Sequence, residues 1–390
     1  MGNWIQTIKQ TALYRHLKGA AYKVLWHLPV DRRKVILDNF AGRGFGDDPK
    51  YIALELQRRD PKLKLYWVVR EKGMPLPEGL RPVVVDSLSY FYHMSTAKVW
   101  IDNTKAMRKP PKKISQFYVQ TWHSTLGLKK NEQDAATLTP EYVRMAQEDA
   151  AKTDLMYSDN DFRLEKYRTR YWYSGPVIKC DVPRMGILFH TPEDIHRQVR
   201  EFFGIPAGKK LALYVPTFRK AVDLDVYRFD YAGCLRQLEA KFGGEFVFLI
   251  RLHPNIMRCA PELLRYDGQR LHNASPYPDI QELLAAADVL ISDFSGCLFD
   301  FAFVGKPVFL LAQDLDAYLS QDRGTYFSPR ELPFPLATDD ASLAASIHQF
   351  SPEAYRKDLQ VFMESIGFED HGTGAKAVAD IILDKIYGHH

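Results

Sequence analysis

At 390 residues, 46% of them hydrophobic and 26% charged, the chain suits two globular domains and is too apolar for a disordered one. Its net charge of +4 is a local excess: residues 1–34 hold seven Lys or Arg against Asp31, leaving 45 basic and 47 acidic residues elsewhere. So balanced a body argues against a nucleic-acid binder, and without an apolar run of about 18 residues no transmembrane helix is expected.

Residues 3–28 carry Trp4, Ile5, Ile8, Ala12, Leu17, Ala20, Ala21, Val24, Leu25 and Leu28 at three- and four-residue steps, with Lys9, Arg15, Lys18 and Lys23 mostly between them. The spacing predicts an amphipathic helix. A stripe of Trp and Leu flanked by Lys and Arg suits the interface of an anionic bilayer, with Trp4, Ile5, Ile8, Lys9, Arg15, Leu17 and Lys18 as membrane contacts. The alternative is a helix packed on the protein's own body. No uninterrupted apolar core or small-residue cleavage site marks a signal peptide. Pro29 ends the helix.

Lys34–Phe40 then reads as a buried strand, followed by Gly42-Arg-Gly-Phe-Gly. That spacing is not G-x-G-x-x-G and no acidic residue ends a second strand in the usual place, so a flexible loop over an acceptor cleft is expected, not a dinucleotide site. Helical spacing over Pro49–Arg58, Ser87–Ser95 and Glu141–Ala151 alternates with strands at Leu63–Val69, Val83–Val85, Val99–Asn103 and Phe117–Thr121. Thr121-Trp-His-Ser-Thr begins at the last strand end and leads to Lys129 and Lys130. An imidazole there (His123) suits proton abstraction from an alcohol near pH 7, with Ser124, Thr125 and Lys129 toward acceptor or phosphate. A histidine capping a loop is the alternative.

The scheme recurs after a break near Pro183–Pro192, with strands at Leu211–Tyr214, Phe246–Ile250, Val289–Ser292 and Val308–Leu311 and helices at Asp279–Ala287 and Leu298–Val304. Three of these strands end in polar clusters. Thr217 and Arg219 follow the first, Arg219 offering a planar fork to phosphate. Arg251 and His253 follow the second, before Pro254. After the third, Ser292, Asp293, Ser295 and Gly296 lead into a helix, where backbone N–H groups favour an anion. Alternating short strands and helices predict parallel sheets covered on both faces, with ligands at the strands' carboxyl ends. Cys180, Cys234, Cys259 and Cys297 make no Cys-x-x-Cys pair and read as buried reduced thiols.

Taken together, Trp122-His-Ser-Thr, Pro216-Thr-Phe-Arg, Arg251-Leu-His-Pro, Asp279-Ile-x-x-Leu-Leu, Ser292-Asp-Phe-Ser and Asp300-Phe resemble the CDP-glycerol glycerophosphotransferase family of teichoic acid and capsule synthesis. So do Gly44-Phe-Gly-Asp-Asp-Pro-Lys-Tyr, Arg323-Gly-Thr-Tyr and Phe368-Glu-Asp-His-Gly-Thr-Gly, and the likeness runs in order over about residues 30–385. The sequence departs from the family at Ser124 (usually Gly), at Pro183-Arg-Met-Gly (usually Pro-Arg-Asn-Asp) and at Gly296 (usually Ser).

The resemblance implies an α/β, GT-B-like fold: a membrane-associating segment 1–33, an acceptor domain 34–188 and a CDP-donor domain 189–390. It maps the two essential histidines onto His123 and His253, and donor contacts onto Thr217, Arg219, Arg251, Asp279, Ser292, Asp293 and Ser295. It implies no catalytic metal and no cofactor. The implied partners are CDP-glycerol or CDP-ribitol, an undecaprenyl-diphosphate-linked saccharide acceptor, and the anionic cytoplasmic face of the membrane. The reaction is transfer of polyol phosphate with release of CMP. A GT-B glycosyltransferase and a non-catalytic nucleotide-binding scaffold are the other readings open to the residues.

Overall fold

Strands made of unbroken apolar runs need cover on both faces, and the chain supplies it twice. The computed structural model describes residues 23–105, 109–219, 224–253, 256, 267–321 and 324–388. In the first half, β1 (Asp31–Asp38), β2 (Lys64–Val69), β3 (Leu80–Val84), β4 (Ala97–Asp102) and β5 (Phe117–Gln120) form one sheet in the order β3-β2-β1-β4-β5. All its pairings are parallel. Helices α1 (Asp47–Arg59) and α2 (Leu88–Thr96) lie on opposite faces: Ile52 and Leu56 of α1 join Val35, Leu37 and Trp67 in one cluster, and Tyr90 and Met94 of α2 join Ile36, Val68 and Trp100 in another. Ser87 caps α2 by accepting the Tyr90 N–H. Helix α3 (Pro140–Ala150) has Pro140 in its first turn and Thr139 as cap. A two-stranded parallel sheet, β6 (Met156–Ser158) and β7 (Val177–Lys179), brackets α4 (Asp161–Arg170).

A short linker, with a 3-10 turn at Pro183–Met185 and the single turn α5 (Gly186–Phe189), leads to α6 (Glu193–Phe203). The second sheet contains β8 (Lys210–Val215), β9 (Phe246–Ile250), β10 (Leu271–Asn273), β11 (Val289–Ser292), β12 (Val308–Leu311) and β13 (Leu336–Ala337), in the order β10-β9-β8-β11-β12-β13. Its helices are α7 (Tyr231–Phe242), α8 (Ile280–Ala286), α9 (Cys297–Phe303), α10 (Leu315–Gln321), α11 (Asp340–Gln349) and α12 (Pro352–Ser365). In each sheet the winding reverses beside the first strand, between β1 and β4 and between β8 and β11. Those switch points are where open α/β sheets leave a crevice at the carboxyl ends.

The last helix, α13 (Gly374–Tyr387), crosses back. Val378, Ala379, Ile382 and Ile386 are buried in the first sheet's cluster beside α1. A boundary at 188/189 assigns this helix to the second domain; apolar burial places it on the first. Its return is anchored where the linker passes. Asp181 accepts from Thr373 Oγ1 at 2.7 Å, and Asp370 accepts from Val182 N at 2.8 Å.

The other elements in the alternating pattern stand where the spacing put them. The two- and three-residue strands β6, β7, β10 and β13 carry too few residues to show a period. Trp4, Ile5, Ile8, Lys9, Arg15, Leu17 and Lys18 lie outside the described residues. Residues 23–26 are helical; Leu25 packs on the first domain, while Trp26 Nε1 donates to Pro111 O at 3.1 Å. Among the described residues no helix is long and apolar enough to cross a membrane. The glycine loop rests on β2: Gly44 O accepts from Trp67 Nε1 at 3.2 Å, and Phe45 packs edge-on against Trp67 at 4.6 Å.

Because Ile382 is fully buried against the first sheet, Ile382→Ala is expected to cost about 2–4 kcal/mol. A urea melt followed in the full chain measures this, and an unchanged midpoint would show that the helix is dispensable to the first domain.

Candidate functional site

The loop after β5 begins with strain. Trp122 adopts φ +59°, a left-handed conformation that a bulky side chain rarely takes. It is held there by Gln120 Oε1, which accepts the Trp122 N–H at 3.0 Å, and by its ring's edge contact with Tyr171 at 4.9 Å. Phe40, Ala41 and Asp47, around the end of β1 and the start of α1, also have positive φ. Strain gathered at strand ends marks a site that its surroundings over-determine.

The turn presents His123. Its Nδ1 lies 2.9 Å from Asn103 O, and its ring packs against Trp122 and Phe40. A carbonyl only accepts, so Nδ1 carries the proton and Nε2 keeps the lone pair. Desolvation between the surrounding walls holds the imidazole below the ordinary histidine range, with Arg184 and Arg163 adding to the lowering against the opposing Asn103 bond. The ring edge still has solvent access. Asn103 is the positioning residue that sequence reasoning missed. It donates to Asn39 Oδ1 and Asp47 Oδ2, both at 2.8 Å, and accepts from Phe40 N at 2.8 Å. Nothing but its place at a strand end could have singled it out.

On the second domain, Asp293 is the organiser. Its Oδ1 accepts from Thr217 N at 2.8 Å and Thr217 Oγ1 at 2.7 Å, and its Oδ2 from Arg219 Nη2 at 2.8 Å. The fork of Arg219 is filled by Asp314, at 2.7 and 2.9 Å, while Phe294 and Tyr318 stack 3.7 Å apart beneath it. The Arg219 guanidinium thus ties Asp293 to Asp314 across the strand ends. Lys129, from the first domain, sits 4.8 Å over the Tyr318 ring. The His253 ring stands 5.3 Å from Phe218 and is exposed. Arg251 turns back onto the carbonyls of Ala274 and Tyr277, at 3.1 and 2.6 Å. Ser292 is fully buried and donates to Val215 O, and the Ser295 hydroxyl lies 3.2 Å from Cys297 Sγ.

The halves meet at these turns. The His123 loop lies against the start of α9: a Cβ on Gly296 would make ordinary van der Waals contact, at 3.5 Å, with Ser124 Cβ. Asp279 and Thr125, both named above toward ligand, are engaged in contacts that reach across the halves. Asp279 caps α8 and its carboxylate is saturated by Lys50 at 2.7 Å, Tyr51 at 2.8 Å and Gln281 N at 3.0 Å. Thr125 Oγ1, also buried, accepts from Arg184 Nη2 at 2.7 Å.

Arg184 belongs to the departing Pro183-Arg-Met-Gly motif. It is buried between three carboxylates, with Nε 2.9 Å from Asp300 Oδ2 and Nη1 3.4 and 3.2 Å from Asp47 and Asp48. Burial, with Asp47 and Asp300 nearby, pushes Asp48 up to about 8 despite the guanidinium beside it. The cluster therefore keeps a proton near neutrality.

A family model described as CDP-Glycerol:Poly(glycerophosphate) glycerophosphotransferase matches residues 20–384. The teichoic acid poly(glycerol phosphate) polymerase of Staphylococcus epidermidis is 28% identical over 372 residues, covering 92% of this chain and 51% of that one. The chain thus spans about half the length of that relative. The teichoic acid glycerol-phosphate transferase of Staphylococcus aureus is 25% identical, covering 97% of this chain and 99% of its own length. Among solved structures, a variant of the wall teichoic acid polymerase TagF soaked with CDPG superposes with a TM-score of 0.84 at 25% identity, over 98% of this chain and 97% of that one.

Removing the buried cation leaves Asp47, Asp48 and Asp300 facing one another, so Arg184→Met is expected to destabilise the protein by about 3–5 kcal/mol. Thermal unfolding reads this. A variant that melts with the wild type would show that the ion cluster does not hold the halves together.

Proposed function

The chain belongs to the CDP-glycerol:poly(glycerophosphate) glycerophosphotransferase family, and on that premise we propose that it transfers glycerol phosphate from CDP-glycerol to a hydroxyl of a lipid-linked acceptor, releasing CMP. The observation that carries the reading is the Nδ1–H bond of His123 to Asn103 O, which makes Nε2 the basic nitrogen of a ring open to solvent. Nε2 takes the proton of the acceptor hydroxyl as its oxygen attacks the β-phosphorus of the donor. The new P–O bond forms while the bond to the bridging oxygen breaks, and CMP leaves with that electron pair. A loose phosphoryl transition state asks mainly for positioning and charge stabilisation. His253 beside Phe218, with Arg251 behind it, is assigned to the donor phosphates, and Ser295 and Gly296 to the turn that receives them against the His123 loop. Thr217, Arg219, Ser292 and Asp293 hold that turn's shape. CDP-ribitol is the alternative donor within the same chemistry.

The lipid side rests on the opposite end of the first sheet. Val24 and Ile114 are exposed there beside Trp26. Arg32, Lys385 and Lys112 add to the lowering that burial imposes on the Lys98 amine, against Asp154, which pairs with Lys112 at 2.8 Å, and the four cations outnumber that one acid. An apolar tip ringed by basic groups fits an anionic bilayer, continuing the basic excess of residues 1–34. β1, eight residues long, separates that patch from the site by about 25 Å. The acceptor hydroxyl must then be carried on a spacer such as a diphosphate-linked saccharide, and the enzyme works as a peripheral protein on the cytoplasmic face of the membrane.

Incubation with CDP-glycerol and CDP-ribitol in turn, with a lipid-linked disaccharide and mass spectrometry of products, is expected to show the acceptor gaining a polyol phosphate. A product gaining sugar without phosphorus would make the protein a glycosyltransferase. General-base help is worth about 10²–10⁴-fold, so His123→Ala should lose that much turnover while remaining folded; wild-type-like CMP release by this variant would sink the assignment.

Protonation of His123 abolishes the base. Because its folded pKa lies below the free imidazole value of about 6.5, the acid limb of the kcat/KM profile should fall below that pH and be flat at neutrality. A limb above pH 7 would point to another base.

A further inference from the structure

The transfer leaves the Arg323-Gly-Thr-Tyr run without a role, yet the fold brings part of it onto the loop that carries the base. Thr325 pairs antiparallel with Lys129: Lys130 N donates to Gly324 O at 3.0 Å, and Tyr326 N donates to Leu128 O at 2.8 Å. Gly324 enters the bridge at φ +77°, in the region that favours glycine. The side chains of the stretch follow the same direction. Leu126 and Leu128 come from the first domain, but both are buried in the apolar cluster of the second. The chain just beyond His123 is thus built into the second half.

Tyr326 fastens the far end of this stretch. Its hydroxyl donates to Asp134 Oδ2 at 2.9 Å, lies 3.3 Å from Asn131 Oδ1 and accepts from Asn131 N at 3.4 Å. Burial and the Asp134 bond push the phenol up to about 12, so it keeps its proton at neutral pH. Its ring packs edge-on against Phe162 at 5.3 Å. Asn131 Oδ1 also accepts from the Tyr171 hydroxyl at 2.8 Å, and the Tyr171 ring meets Trp122, whose strained backbone precedes His123. The circuit starts on the second domain and returns to the base. Transfer by positioning needs such a circuit, because a misplacement of about 1 Å can cost about 10²-fold in rate, and two domains joined only by a linker would let base and donor drift apart.

We propose that Tyr326 is a positioning residue for the transfer: by docking residues 126–131 on the second domain, it makes His123 move with the donor seat. This rests on the reading of His123 as the base. The hydroxyl of Tyr326 acts through Asn131 and the loop, and takes no part in the bonds made and broken.

The test uses the full chain. Tyr326→Phe keeps the ring against Phe162 and removes the hydroxyl. Its kcat is expected to fall about 10- to 100-fold, with KM for CDP-glycerol unchanged. The His123 imidazole, followed by NMR and identified as the signal that His123→Ala lacks, should titrate higher in Tyr326→Phe than in wild type, toward about 6.5. Loosening the loop wets a ring whose proton affinity is lowered chiefly by burial, while Asp47, Arg184 and Arg163 face it in both proteins. A tether separates positioning from chemistry. Lys129 and Thr325 form a non-hydrogen-bonded pair, whose Cα atoms stand about 4.5 Å apart, within reach of a disulfide. In a protein carrying Lys129→Cys, Thr325→Cys and Tyr326→Phe, oxidation should restore the kcat and the titration of the oxidised double-cysteine protein that keeps Tyr326. A wild-type kcat and titration in Tyr326→Phe would overturn the proposal. So would a loss of kcat that the disulfide does not restore, which would make the hydroxyl a participant in the chemistry, or a lowered Tm with an unmoved titration, which would make it structural only. If His123→Ala released CMP like wild type, the reading of the base would fail, yet the titration needs no turnover and would still decide whether Tyr326 sets the loop.

Discussion

One guanidinium, that of Arg184, connects everything that defines the cleft. It sits in the linker between the sheets, and its partners come from both: Asp47 and Asp48 at the start of α1, Thr125 in the loop of His123, and Asp300 in α9. Buried charge is stable only when matched by charge and hydrogen bonds, so these four groups cannot separate cheaply. Their arrangement fixes how the carboxyl ends of the two sheets face each other. Gln281 donates to Asp300 at 3.0 Å, and Lys50 reaches Asp279 and Glu282, extending the contact along α8.

That rigidity explains why several residues expected to touch ligand are occupied by neighbours. Asp293, Thr217 and Arg219 satisfy one another, and Asp314 closes the set. A donor arriving there meets a preorganised turn and need not immobilise loose side chains, the economy on which transfer by positioning depends. The strained backbone at Phe40, Ala41, Asp47 and Trp122 belongs to the same logic on the other side. Asn103 ties two of these positions to His123, bonding Phe40 N and Asp47 Oδ2 through its side chain and the imidazole through its carbonyl.

The strands were legible because their apolar runs are continuous and turn residues bound them. The histidines were legible because they follow strand ends, where a doubly wound sheet leaves its crevice. What stayed hidden was pairing across distance. No local pattern tells that Asp279 turns its carboxylate to Lys50, 229 residues earlier in the chain, or that Arg219 fills its fork with Asp314. The return of α13 was hidden for the same reason: its apolar stripe shows that it packs, not on which sheet. Pro183-Arg-Met-Gly differs from the family in the polar groups it lacks, while the residue that matters most, Arg184, is one it shares with the family.

The loop from His123 to Gly127 lies between two buried guanidinium groups in opposite electrostatic states. Arg184 holds Thr125 and is over-neutralised, with three carboxylates around it, one of which keeps its proton to about pH 8. Arg163 stands behind Gly127, and among the described residues no carboxylate bonds it. Both act on the same imidazole, lowering its affinity for a proton. Arg184 has its neutralising partners built in, so its effect changes little when substrate enters. The cation that holds the domains together and the one packed among phenols thus both bear on His123.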